Sequence, residues 1–195
     1  MAAGGPTMPA LWRRLLSFGF IGILFTTAVI FARVPSASAT SSQNAETSSS
    51  GDPQLVDLAG YHDVVAKYRG KPLLVTFWAT WCEPCRAEFP VVVDLAKEYS
   101  SQGLAVVGVS LDEDADMNLV RHFLTQNHPG FPNYRQKPGI NVDAFYRGVN
   151  PDWQGTMPHN LFYARDGHIA RFFVGEHNRA AFEQAIRLIL ASSAQ

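Results

Sequence analysis

The chain has 195 residues, which is enough for one domain of ordinary size with an extension and too few for two full domains. Its net charge is −1, but residues 1–39 contain three arginines and no acid, whereas the remainder has 13 basic and 17 acidic side chains, a net charge of −4. This charge, without a run of Lys or Arg, argues against a nucleic-acid-binding protein, and two cysteines exclude a disulfide-rich scaffold and a four-thiolate zinc site.

Residues 1–39 have the pattern of an export signal. Arg13 and Arg14 precede an uncharged apolar stretch at 15–32, and positive charge before such a stretch keeps that end of the chain in the cytoplasm. The run Ala-Ser-Ala at 37–39 fits a cleavage site, but the stretch also reaches the length of a membrane-spanning helix. We therefore expect a cleaved signal peptide or a retained signal anchor, with the rest of the chain in the periplasm or on the outer face of the cytoplasmic membrane.

A Ser/Thr-rich stretch follows at 40–54, and its lack of any apolar cluster predicts a flexible linker. The domain predicted at 55–195 contains, in chain order, a helix at 61–69, a buried strand at 72–78, a helix at 84–101, a buried strand at 104–111, a helix at 119–126 that starts near residue 114, a less regular stretch at 129–153 with a short helix at 142–147, hairpin strands at 160–164 and 169–174, and a helix at 179–190. This order predicts an α/β fold around a mixed sheet, parallel first and antiparallel at the end.

The most informative pattern is Cys-Glu-Pro-Cys at 82–85, where a predicted buried strand meets a helix. At the helix N-terminus, Cys82 faces unpaired N–H groups and the positive end of the helix dipole. These stabilise its thiolate, which is the nucleophile in disulfide exchange. Cys85, one turn further on, would be the shielded thiol that attacks the mixed disulfide and releases the substrate. Pro84 suits the first helical turn, where a missing N–H costs nothing.

Two other uses of the cysteine pair remain open from the residues alone. A structural disulfide would gain little, because the stabilisation from chain entropy is small for so short a loop. Half of a zinc site would need a second Cys pair or a close His pair, and the sequence contains neither. The acidic run at 112–118 lacks the Gly and Glu that a calcium loop requires, and it is interpreted as a cluster at a helix N-terminus. We therefore expect redox activity and no metal site.

Residues 73–90 closely resemble the active-site segment of the thioredoxin fold, and within it the membrane-tethered extracytoplasmic thiol-disulfide oxidoreductases of the TlpA/ResA type. A looser similarity extends over 55–190. The resemblance implies a thioredoxin-like domain, with a central mixed sheet flanked by helices, that reduces disulfides of client proteins, as in preparing apocytochrome c for haem attachment. It also implies a transmembrane thiol carrier as electron donor and no cofactor other than the redox-active disulfide between Cys82 and Cys85.

The resemblance also implies a substrate-contact surface around the disulfide. In the family a cis-proline faces the disulfide, and the matching residue is Pro158, in the run Gly-Thr-Met-Pro at 155–158. Met157 would then offer its backbone for strand-like pairing with the substrate. Trp81, beside Cys82, is expected to form part of the same surface. Between the cysteines, Pro84 is expected to contact substrate, as is an exposed Glu83, whose charge would act on the redox potential.

Glu88 matches a carboxylate that lies near the thiols in this family and tunes their proton transfer. Helical spacing puts it three residues past Cys85 and on the same face. Burial near thiols would raise its pKa and make it an acid/base partner for Cys85. Thioredoxin itself usually has a buried Asp in the preceding strand, where this chain has Thr76. Glu88 is therefore the predicted proton carrier.

Two other functions are weighed against disulfide exchange. A thiol peroxidase shares the fold, but its reactive Cys normally lies outside a Cys-x-x-Cys motif, and no third Cys is present. A copper-delivery module would use a more widely spaced Cys pair with a distant His, for which His159 is the candidate. Peroxide consumption, or Cu(I) binding that requires His159, would favour these alternatives.

Overall fold

Six strands form one mixed sheet in the computed structural model, which describes residues 52–193. The strands are β1 (Gln54–Val56), β2 (Leu73–Trp78), β3 (Ala105–Ser110), β4 (Asn133–Gln136), β5 (His159–Tyr163) and β6 (Ile169–Val174). Their order across the sheet is β1-β4-β3-β2-β5-β6. The pairs β1–β4, β4–β3 and β3–β2 are parallel, and β5 and β6 are added antiparallel. The predicted mixed sheet, parallel first and antiparallel at the end, is confirmed.

Helices cover both faces of this sheet. They are α1 (Leu58–Ala66), α2 (Glu83–Tyr99), α3 (Met117–Asn127), α4 (Val142–Val149) and α5 (Arg179–Leu190), with short 3₁₀ turns at Ser100–Gln102 and Asp114–Asp116. Along β2, Leu73, Val75 and Phe77 pack with α1 and α4, whereas Leu74 packs with α2 and α5. Because both faces of β2 are covered, all six of its residues are buried, which explains its nearly unbroken apolar sequence.

A close approach between strands occurs at Gly108 on β3. Trp78 at the end of β2 donates a hydrogen bond from Nε1 to Asn133 Oδ1 on β4, over 3.2 Å. A Cβ atom at position 108 would lie 2.0 Å from that Asn133 oxygen and 3.2 Å from Trp78 Nε1. The glycine therefore leaves the space in which this hydrogen bond forms.

Most predicted elements are present with bounds shifted by one or two residues, and three differ more. Helix α1 begins at Leu58, three residues early, because the Asp57 side chain caps it by accepting a hydrogen bond from the Gly60 N–H at 2.9 Å. Strand β1 starts at Gln54, inside the predicted linker, and β4 lies in the stretch predicted to be less regular. Both strands are short, and β4 is largely polar, so neither gives a periodic apolar pattern.

The predicted signal segment at 1–39 and most of the predicted linker at 40–54 lie outside the described residues. Within 52–193, no helix combines the length and apolar character needed to cross a membrane. Asp52, the first described residue, forms an exposed ion pair with Arg121 on α3 over 2.5 Å.

Candidate active site

Cys82 and Cys85 form a disulfide at the N-terminus of α2. Cys82 is the N-cap of this helix, with an extended backbone, and its Sγ accepts a hydrogen bond from the Cys85 N–H at 3.3 Å. The sulfur thus lies where the first N–H groups of a helix have no carbonyl partner, and these groups stabilise negative charge. Both cysteines are largely buried, with 6% of Cys82 and 2% of Cys85 exposed. Reduction of the pair would leave Cys82 as the thiol best placed to ionise.

The loop before Cys82 is held by a buried carboxylate. The Thr80 N–H donates to both side-chain oxygens of Asp112, at 3.0 and 3.1 Å, and the Thr80 hydroxyl donates to one of them. The Ser110 hydroxyl donates to the other oxygen at 2.6 Å. Asp112 is only 2% exposed, so its interpretation as part of a helix N-terminal cluster is wrong. Asp112 lies two residues after β3, which pairs in parallel with β2, so its contact with Thr80 depends on the assembled sheet.

Glu88 is buried on the face of α2 that also carries Cys85. Asn160 Nδ2 on β5 donates to Glu88 Oε1 at 2.8 Å, and the His177 backbone N–H donates to Oε2 at 3.0 Å. Burial raises the pKa of the Glu88 carboxyl above its usual range, while the two hydrogen bonds act in the opposite direction. The carboxyl is thus fixed by two donors and holds a proton more readily than an exposed glutamate.

Pro158 lies at the cysteine end of the sheet. The Met157–Pro158 peptide bond is cis, as the family resemblance implies. The next residue, His159, pairs with Phe77 near the end of β2, the strand that leads into the cysteine loop. Pro158 is buried and Met157 is partly exposed. The geometry is compatible with the predicted substrate surface; the contacts of both residues with substrate remain predictions.

The other predicted contact residues differ in exposure. Trp81 is 62% exposed beside Cys82, and Glu83 is exposed at the start of α2, whereas Pro84 is half-buried. A groove of about 530 Å³ runs from this point between α2 and α3, lined in part by Thr80, Glu83, Arg86, Leu119, His122 and Phe123. Trp81 and Glu83 are therefore available to a protein that approaches the disulfide.

His159 and Trp153 support the proline loop from inside. The His159 ring is stacked on Trp153, with centroids 4.4 Å apart and planes at 9°, and both residues are fully buried. Trp153 Nε1 donates to the Thr156 carbonyl at 2.9 Å, which fixes the loop that precedes Pro158. Burial lowers the pKa of His159 to about 4, so the ring is neutral at physiological pH. Among the described residues, no group of three His, Cys, Asp or Glu side chains could hold a metal ion.

Comparison with known proteins finds similarity to thioredoxin-like proteins and thiol-disulfide oxidoreductases. A model of the AhpC/TSA family matches residues 52–172. The thiol-disulfide oxidoreductase ResA of Bacillus thuringiensis subsp. konkukian (strain 97-27) is 27% identical over 135 residues, which cover 69% of this chain and 73% of ResA. The thioredoxin-like protein YneN of Bacillus subtilis (strain 168) is 38% identical over 140 residues, covering 70% of this chain and 76% of YneN.

Among solved structures, a thiol:disulfide interchange protein of the thioredoxin family from Chlorobium tepidum TLS superposes with a TM-score of 0.56. It is 25% identical in sequence, and the match covers 65% of this chain and 84% of that protein. The family match spans more than half of the chain and includes both cysteines, Glu88 and Pro158. The chain therefore belongs to the AhpC/TSA family of thioredoxin-like proteins.

Proposed function

We propose that this protein reduces disulfides of client proteins outside the cytoplasm, with Cys82 as nucleophile and Cys85 as resolving thiol. Its enzyme class, thiol-disulfide oxidoreductase, follows from its relatives and from the cysteine pair in the fold they share. The observation that carries the proposal is the disulfide between an N-cap cysteine and the cysteine one turn further along α2. This arrangement stabilises one thiolate and shields the other.

The reaction starts from the reduced pair. The Cys82 thiolate attacks one sulfur of the client disulfide, so a Cys82–client mixed disulfide forms and the other client sulfur leaves as a thiolate that takes up a proton. Cys85 then loses its proton and attacks Cys82 Sγ, which breaks the mixed disulfide and releases the second client thiol. Two electrons pass from the enzyme to the client, and the enzyme ends with the Cys82–Cys85 disulfide seen in the structure.

Glu88 is the proposed proton carrier for the second step. The buried carboxylate accepts the proton of the Cys85 thiol, and the departing client thiolate is protonated in exchange. A raised pKa brings the carboxyl closer to the pKa of a thiol, which reduces the free-energy cost of this transfer. Glu88 lies three residues past Cys85, on the same buried face of α2, which supports the role.

Client binding is proposed at the surface around the disulfide. The exposed Trp81 provides apolar contact area, and Glu83 and Pro84 border the sulfur that reacts. Met157 would pair through its backbone with an extended client segment, with Pro158 behind it. The support for this arrangement is that the cis-proline loop lies at the end of β5 that adjoins the cysteine end of β2.

The direction, location and electron donor rest on the resemblance to the TlpA/ResA type. A signal peptide or anchor at 1–39 would deliver the domain to the periplasm or the outer face of the membrane. A reductant there needs electrons from a transmembrane thiol carrier, since the compartment is oxidising. Apocytochrome c cysteines awaiting haem are the proposed clients. The cysteine pair itself carries the two electrons, without a further cofactor.

The test compares two variants of the full chain in an insulin reduction assay. Cys82→Ser should abolish turnover, and Cys85→Ala should trap a mixed disulfide with the client that mass spectrometry can identify. Wild-type turnover by Cys82→Ser would refute the catalytic assignment. A peroxide consumption assay on the same proteins distinguishes disulfide reduction from peroxidase activity, which we expect to be absent.

A further inference from the structure

Asn160 is a buried residue for which the sequence analysis predicts no role. It lies on β5, two residues past Pro158, and is fully buried. Its Nδ2 donates to Glu88 Oε1, whereas its Oδ1 is buried and has no hydrogen-bond partner among the residues that the structure describes. A buried polar atom without a partner costs stability, so this arrangement calls for an explanation.

The other groups around Glu88 do not explain why Asn160 Oδ1 is left without a partner. The His177 backbone N–H on Oε2 can only donate, so it serves the ionised carboxylate best. The titratable groups that act on the carboxyl come from the loop after β6: His177 favours its ionised form and Glu176 its protonated form. The side-chain amide of Asn160 differs from all of these, because it has a donor at one end and an acceptor at the other.

We propose that Asn160 is a positioning residue that hydrogen-bonds Glu88 in both of its protonation states by turning its side-chain amide. When Glu88 is ionised, Nδ2 donates to Oε1, as in the structure. When Oε1 carries a proton, a half-turn of the amide lets Oδ1 accept that proton's hydrogen bond. Since Oδ1 has no partner to give up, the amide makes one hydrogen bond to Glu88 before and after the turn.

This inference rests on the proposed role of Glu88 as proton carrier, and it adds the group that keeps the carboxyl in place during the transfer. The proton leaves Cys85 Sγ, resides on Glu88 Oε1 while Cys85 attacks Cys82, and then passes to the departing client thiolate. Without Asn160, only the His177 N–H on Oε2 would hold the carboxyl at the moment when Oε1 carries the proton. The Asn160 amide adds a second hydrogen bond in that state and so limits rotation of the carboxyl away from Cys85.

The test follows the Glu88 carboxyl directly in the oxidised full-length protein in detergent, without substrate. The ¹³C NMR signal of labelled Glu88, assigned by its loss in Glu88→Gln, gives the midpoint of its titration. Asn160→Leu should raise this midpoint by about one pH unit, a tenfold increase in proton affinity. Both forms of Glu88 lose a hydrogen bond to the amide, and the bond lost by the ionised form is charge-assisted and therefore the stronger one. Asn150→Leu is the matched control: it replaces a buried asparagine that contacts His159 instead, and it should leave the midpoint unchanged.

The turn of the amide has its own signature. The side-chain ¹H–¹⁵N signals of Asn160 should change with the same midpoint as the Glu88 carboxyl, and they should not titrate in Glu88→Gln. If Asn160→Leu does not fold, Asn160→Ala removes the amide without adding a charge, and it should also raise the midpoint. An unchanged Glu88 midpoint in both variants, or Asn160 signals that ignore the titration, would overturn the proposal. The proposed function is tested separately, since its failure would appear as turnover by Cys82→Ser.

Discussion

The buried carboxylate of Asp112 makes a quantitative prediction about the loop before Cys82. Asp112→Ala removes the acceptor of three donors: the N–H and hydroxyl of Thr80 and the hydroxyl of Ser110. Each buried donor left without a partner costs about 1–3 kcal/mol, and the two hydroxyls can turn toward other acceptors, so the lower end of the range applies. We expect the free energy of unfolding to fall by about 3 kcal/mol.

The measurement is urea denaturation of the oxidised protein, with Glu113→Ala as the matched control. Glu113 is the next residue and is exposed, so its replacement should change the free energy of unfolding by about 0.5 kcal/mol or less. Because Thr80 lies two residues before Cys82, Asp112→Ala should also slow insulin reduction, whereas Glu113→Ala should not. Equal losses of stability in the two variants would refute the reasoning.

Three further predictions concern pH and the tryptophans. The difference in free energy of unfolding between wild type and Glu88→Gln should fall as pH rises from 4.5, because the raised pKa of Glu88 makes its ionisation in the folded state unfavourable. If this difference does not vary with pH, the prediction is wrong. Relative to His159→Phe, wild type should lose about 3 kcal/mol between pH 7 and pH 4, because the unfolded chain takes up a proton near 6.5 and the buried ring only near 4; denaturation at the two pH values checks it. Trp81→Ala should raise KM for a protein disulfide and change stability by about 1 kcal/mol or less, whereas Trp78→Ala should lose about 3–5 kcal/mol. If Trp81→Ala loses more stability than Trp78→Ala, then Trp81 rather than Trp78 is the core residue.

The sequence predicts those helices and strands whose burial against neighbouring elements gives a regular pattern of apolar residues. β2 is recognisable because it is covered on both faces, and the helix at Arg179–Leu190 has the predicted bounds because its apolar residues repeat at helical spacing. β4 could not be predicted in this way, since its short polar sequence pairs with β1 and β3 and contributes little to the apolar core. Its place in the sheet depends on residues distant along the chain.

Some residues of the candidate site could likewise be predicted from the sequence, and others could not. Cys82, Cys85 and Glu88 could be identified from local spacing and family resemblance, because one helix presents all three. Asn160 lies 72 positions after Glu88, and Asp112 lies 32 positions after Thr80, so neither hydrogen bond leaves a local pattern. Such buried polar partners become visible only when the strands are assembled.

Gly108 has a consequence for how this sequence can vary. A methyl group there would meet the Asn133 side chain at 2.0 Å, and the displacement would pass to the indole of Trp78, four residues before Cys82. Glycine is a poor strand former, and strand propensity alone predicts that a mutational scan favours larger residues in the middle of a buried strand. Here we expect the opposite, because a side chain at position 108 would break the hydrogen bond between Asn133 and Trp78, and Trp78 ends the strand that leads to Cys82.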